Sequence, residues 1–145
     1  MNIESESSNR FTRLQKRIHI CEAIYSDLIW SELNESRKIG EVGKNFWSDF
    51  EWRIFKKYIK NKDSFIEQIN NLLRDDWDVG RLNLSILAIL LEAFSEYSVY
   101  KTTPAVLIQQ SVQIAKDYGE DEYKLVHAVI DNYIKKLQIQ EREED

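Results

Sequence analysis

From Leu84 to Tyr97 the chain carries Leu84, Ile86, Leu87, Ile89, Leu90, Leu91, Ala93, Phe94 and Tyr97, with hardly a polar face between them. A helix that is apolar nearly all round must be surrounded by other elements. The run is too short to cross a bilayer, and Glu92, Ser95 and Glu96 punctuate its end. It is expected to be the buried central helix of a domain whose other segments supply the covering faces.

Those segments follow from the same pattern. Arg10 to Trp30 shows apolar residues at helical spacing (Leu14, Ile18, Cys21, Tyr25, Leu28), with Ile20, Ala23 and Ile24 widening the face. Asn34 to Gly43 reads as a loop. Asn45 to Tyr58 aligns Phe46, Trp47, Phe50, Ile54 and Tyr58 on one side of a helix. Ser64-Phe-Ile-Glu67 has capping-box spacing and is expected to open a separate helix through Ile69 and Leu73, broken around Trp77. Asp78 or Asn83 caps the central helix. Thr103-Pro104 opens the next, with Thr as N-cap and Pro at the first position, where a missing N–H costs nothing. Gly119 is expected to end that helix in a left-handed cap. The last helix buries Leu125, Val126, Val129, Ile130, Tyr133, Ile134 and Leu137. Residues 1–8 read as a disordered leader, 9–138 as a single helical domain and 139–145 as an acidic tail.

Composition supports an all-α reading, since one proline and four glycines leave little material for turns and no strand-like alternation stands between them. A length of 145 residues is one domain, large enough to bury a core without staples. The net charge of −5 argues against a generic nucleic-acid binder, though a local basic stripe can still act. A single cysteine, Cys21, excludes an internal disulfide and fits a reducing compartment. With no signal-peptide pattern, a cytoplasmic location is expected.

The order and spacing of Trp77, Arg81-Leu82, Ile89-Leu90, Glu96, Pro104, Ile108-Gln-Gln, Ile114-Ala-Lys116, Tyr118-Gly119 and Leu125-Val-His-Ala-Val-Ile-Asp131 resemble the NusB family of transcription antitermination factors. Ala23-Ile24-Tyr25 matches its Ala-Leu-Tyr more loosely. The sequence departs from the family pattern at Gln110, at His127-Ala128, at Leu91 and at Ser95, while the apolar positions are kept. The resemblance implies an all-α fold of two packed helical bundles with no cofactor and no enzymatic activity. Its implied partners are the single-stranded boxA RNA of ribosomal-RNA leaders, a small-subunit ribosomal protein (NusE) and the RNA polymerase antitermination complex, with no membrane. The fold also occurs in front of some ribosomal-RNA cytosine methyltransferases, so a detached accessory domain is a further reading. A protein-interaction scaffold that has lost RNA recognition is the main alternative.

In the family the RNA contact starts from an arginine-rich opening of the first helix. Here Arg10, Arg13, Lys16 and Arg17 stand in that place with no acid among them. On one continuous helix Arg10, Arg13 and Arg17 would form a stripe at i, i+3, i+7 able to track phosphates. Tyr25, two turns on, could offer a ring for base stacking. Lys124 falls where the family has a lysine beside its Phe-Val-Asn. An ordinary solvated face is the bland reading of such a stripe.

Arg53, Lys56, Lys57 and Lys60 make a second basic stripe to which no family motif corresponds, and such stems often only cover apolar surface. His19 and Cys21, two apart on a helix, point to different sides and cannot chelate one ion together. Asp75, Asp76 and Asp78 cluster at a turn, where capping and solvation account for them. No Gly-rich phosphate loop, nucleophile elbow or zinc spacing is present.

Overall fold

The computed structural model describes residues 10–32, 47–118 and 120–144. Five α-helices run through these segments: α1 (Arg13–Glu32), α2 (Asp49–Leu72), α3 (Leu84–Tyr100), α4 (Pro104–Asp117) and α5 (Tyr123–Glu144), with a 3-10 turn at Val79–Arg81. The expected leader, the Asn34–Gly43 loop and the Gly119 cap lie outside the described residues.

The central helix is α3. Every residue from Ile86 to Tyr97 is buried. It packs against α1 and α2 on one side and against α4 and α5 on the other, which makes two helical bundles sharing one axis. Phe94 marks the crossing: its ring stacks on Tyr133 of α5 at 3.7 Å and meets Phe65 of α2 edge-on at 6.1 Å.

Two starts differ from the sequence expectation. Helix α1 begins at Arg13 because Thr12 and Gln15 form a capping box. The Gln15 amide donates to Thr12 Oγ1 (3.1 Å) and the Thr12 amide to Gln15 Oε1 (2.9 Å). Helix α2 begins with a second box, Ser48 with Glu51. It then runs unbroken for 24 residues, so the separate helix expected at Ser64 does not exist. Buried Ile54, Tyr58, Phe65 and Ile69 fall at steps of four, seven and four, one continuous seam that a break would disrupt. Ser64 caps nothing; its hydroxyl accepts from Gln68 Nε2 one turn on.

Neither Asn83 nor Thr103 makes a side-chain cap bond, although each occupies the N-cap position. Pro104 does sit in the first turn of α4. At the end of α4, the Tyr118 amide donates to the Ile114 carbonyl and the Glu120 amide to that of Ala115. The acidic tail continues α5 as helix to Glu144 and is exposed from Gln138 to Glu143. Among the described residues, no helix is long and apolar enough to cross a membrane.

Candidate nucleic-acid interface

The capping box at Thr12 decides how the N-terminal cations are arranged. Arg10 precedes the cap and is exposed, its guanidinium 5.7 Å from the Phe11 ring centroid. Phe11 in turn meets His19 edge-on at 4.8 Å. Arg13 opens the helix, exposed, with its guanidinium 4.0 Å over the ring of Phe50. Phe50 stacks on Tyr100 at the end of α3 (5.3 Å).

The single stripe expected from spacing is therefore not formed. Arg10 stands off the helix, and Arg17 is only 5% exposed. Arg17 Nε and Nη2 donate to the two oxygens of Glu96, each at 2.8 Å, and Nη1 donates to Gln110 Oε1 at 3.0 Å. The two-pronged edge that a phosphate would need is taken by Glu96, and burial withholds the rest of the guanidinium. Lys16 is also buried, and that desolvation, with the charge of Arg13 added, lowers its pKa against the pull of Glu51. The exposed cations of the segment are Arg10 and Arg13.

Arg17 is drawn inward by carboxylates that the apolar run conceals. Burial alone would raise the pKa of Glu96, but Arg17's hydrogen bonds and charge, helped by the Thr102 hydroxyl at 2.6 Å, hold it below the usual range. Glu92, one turn earlier and also buried, goes the other way: burial first and the Glu96 charge second push its carboxyl well above that range. Arg17 thus favours the ionised form of Glu96, while burial and Glu96 favour the protonated form of Glu92. Their spacing at i and i+4 within an apolar helix was the available signal, since both must share a buried face.

Tyr25 is 41% exposed and lines a pocket of about 380 Å3. Cys21, Glu22, Ser85, Ala88, Tyr118 and Glu120 complete it, so α1, α3 and the segment after α4 all contribute. Tyr118, 44% exposed, has its hydroxyl 3.5 Å from Glu22 Oε1. Its pKa is pushed up to about 12, by burial of the hydroxyl first and by Glu22 next. Glu120 is held from both sides, by Asn83 Nδ2 at 2.9 Å and by Ser85 Oγ at 2.5 Å. The thiol of Cys21 is buried, and that burial, with Glu92, Glu96 and Glu22 nearby, raises its pKa well above the ordinary value.

Two exposed aromatic rings on an open pocket, with carboxylate acceptors between them, suit a flat ligand carrying amino groups. Neither Tyr118 nor Glu120 is marked out by local sequence; an aromatic immediately before the glycine expected to end the helix is the hint for the first. Lys124 is exposed in the first turn of α5. Its neighbour Tyr123 carries the Lys116 ammonium 4.8 Å over its ring. Of the expected contacts, Arg10, Arg13, Tyr25 and Lys124 are on the surface, while Lys16 and Arg17 are not. His19 does not stand alone: its Nδ1 is 2.8 Å from Glu51 Oε2, which ties α1 to the cap of α2.

The class these features define is an all-helical binding module built around a shared central helix. The NusB family model matches residues 18–135, and the chain belongs to that family, which is not an enzyme family. It is 30% identical to the transcription antitermination protein NusB of Campylobacter concisus over 128 residues, covering 83% of this chain and 94% of that one. It is 33% identical to NusB of Sinorhizobium fredii over 99 residues and 34% identical to NusB of Ligilactobacillus salivarius over 68. Those two matches span 66% and 46% of this chain and 62% and 52% of the relatives. The fold is that of T. maritima NusB, with a TM-score of 0.72 at 18% identity over 86% of this chain and 92% of that one. A conserved hypothetical protein from Mycoplasma genitalium, described as structurally homologous to NusB proteins, gives 0.62 at 24% identity over 79% and 92%.

Proposed function

We propose that this chain is an antitermination factor that acts in the cytoplasm by binding single-stranded boxA-type RNA of ribosomal-RNA leaders. It does so together with a small-subunit ribosomal protein, within the RNA polymerase antitermination complex. The observation that carries the reading is the pocket between Tyr25 and Tyr118, with exposed Arg10 and Arg13 at the N-terminal end of α1, about a third of a turn round from Tyr25. A base entering the pocket stacks on a tyrosine and donates its amino group to Glu22 or Glu120. Such stacking contributes about 1–3 kcal/mol per base.

Those carboxylates repel phosphates, so the backbone must be held elsewhere. Arg10, Arg13 and Lys124 are the cations for it. Arg13 and Tyr25 are twelve residues apart, about 18 Å along the helix and about 120° round it. A strand several nucleotides long spans that distance by crossing the exposed side of α1.

A scaffold without RNA binding is the second reading, and one finding favours it: Arg17 and Lys16 are withdrawn from the surface. Fluorescence anisotropy with a labelled boxA-type RNA, with and without the ribosomal partner, separates the two. The proposal expects salt-sensitive RNA binding; the scaffold expects binding of the protein partner alone.

A further inference from the structure

The middle of the outer face of α2, between exposed Asp49 and exposed Asp63, is more basic than anything at the pocket. Arg53, Lys56 and Lys60 recur at i, i+3 and i+7, with Lys57 beside them, and no acid stands between Trp52 and Asn61. Arg53, Lys56 and Lys60 are exposed, and none of the four makes an ion pair or hydrogen bond among the described residues. Arg53, Lys56 and Lys60 lie opposite the buried seam of Ile54, Tyr58, Phe65 and Ile69, so their stems cover little of the core, while half-buried Lys57 sits on its flank. In a chain of net charge −5, four cations over about 10 Å of helix are a local field that the average conceals.

The stripe also has a neighbour. Phe50, the buried ring on which Arg13 rests at 4.0 Å, lies three residues before Arg53 and seven before Lys57, on the flank of α2 between the seam and the cations. Beside it stands Tyr100, 39% exposed and stacked on Phe50. Arg13, an exposed aromatic ring and the α2 cations thus follow one another across the surface.

We infer that this face is a second track for the RNA backbone, holding without sequence preference the nucleotides that flank the segment at the tyrosine pocket. This rests on the RNA reading above. The strand leaves Arg13, stacks a base on Tyr100 and lays successive phosphates along Arg53, Lys56 and Lys60. A membrane surface fits less well, because an interfacial helix needs an apolar face and that of α2 is already in the core.

The test compares the full chain with the R53Q/K56Q/K60Q variant on two RNAs: a short boxA-type oligonucleotide, and the same oligonucleotide with a ten-nucleotide oligo(U) extension on either end. For the parent, one extension should raise affinity and steepen the log–log salt dependence by about 2, roughly 0.7 for each of three phosphates. The triple variant should bind the short RNA as the parent does and lose the gain from the extension. No gain in the parent, or a gain that the variant retains, overturns the inference. If the parent fails on the short RNA yet binds the extended one through the stripe, the track stands and the pocket reading falls. Sedimentation with phosphatidylserine vesicles is the remaining arm. Vesicle binding lost in the variant, with RNA binding unchanged, would assign the stripe to a lipid surface instead.

Discussion

Arg17 and Glu96 form a buried bidentate ion pair that joins α1 to α3, both bonds at 2.8 Å. It fixes the rotation of α1 on the central helix and so determines which of the N-terminal cations face solvent. A pair so placed is costly to break from one side, since the remaining charge is left without a partner. Arg17→Met should therefore lose about 3–5 kcal/mol in urea titration, and the double change Arg17→Met with Glu96→Leu should recover much of it. A single variant within about 1 kcal/mol of the parent would mean that the pair does not hold α1 in place.

Glu92 gives the stability curve a distinctive slope. Its raised folded pKa means that the folded chain keeps a proton that the unfolded chain releases near the ordinary value of 4.5. The stability tied to that proton is complete below the unfolded value and declines as pH rises. Glu92→Gln, a neutral mimic, should match the parent near pH 4.5 and become progressively the more stable of the two as pH climbs. Glu96 works in the opposite sense. Its depressed pKa adds stability at neutral pH that is lost as acid protonates it, so the parent should also weaken on strong acidification.

The position of the caps can be tested in one series. Ser48→Ala removes a bonded N-cap and should cost about 1 kcal/mol. Ser64→Ala and Thr103→Ala remove hydroxyls that cap nothing and should stay within about 0.5 kcal/mol. A large loss at Ser64 would restore the broken helix that local spacing suggests.

These cases show how much the sequence reveals. The buried run, the helix count after it and the Pro104 start were legible, because apolar periodicity reports burial directly. The motif order named the family. What stayed hidden were competitions between equal local signals. Ser64-Glu67 and Ser48-Glu51 both carry a capping-box pattern (Ser48-Asp-Phe-Glu51), and only the packing of Phe65 and Ile69 in register with Ile54 decides between them. Thr12-Arg-Leu-Gln15 was equally readable, and it alone separates Arg10 from the helix. Arg17 and Arg13 look alike in sequence; the carboxylates of α3, some 80 residues away, bury one and leave the other in solvent. The tyrosine pocket joins three segments; Tyr25 was legible in the first, but nothing local marks Tyr118 or Glu120 as its partners, because only packing brings them together.

The pocket yields a separate prediction. Tyr25→Ala and Tyr118→Ala should each weaken RNA binding by about 1–3 kcal/mol, with Phe at either position restoring most of it, since a ring and not a hydroxyl is needed for stacking. Melting temperatures should barely move, because both side chains are more than one third exposed. Equal loss with Phe and Ala would point to hydrogen bonding through the hydroxyl.

The central claim, RNA held by exposed Arg10 and Arg13 against the pocket, is tested most directly by the salt dependence of affinity. Anisotropy titrations of a boxA-type RNA should be run at several salt concentrations, with the ribosomal partner present, on the parent and on Arg10→Glu with Arg13→Glu. The account predicts a linear fall of log affinity with log salt in the parent and a slope flatter by roughly 1.4 in the variant, for two lost phosphate contacts. Parent-level affinity and slope in the variant, or no RNA binding by the parent, would contradict it.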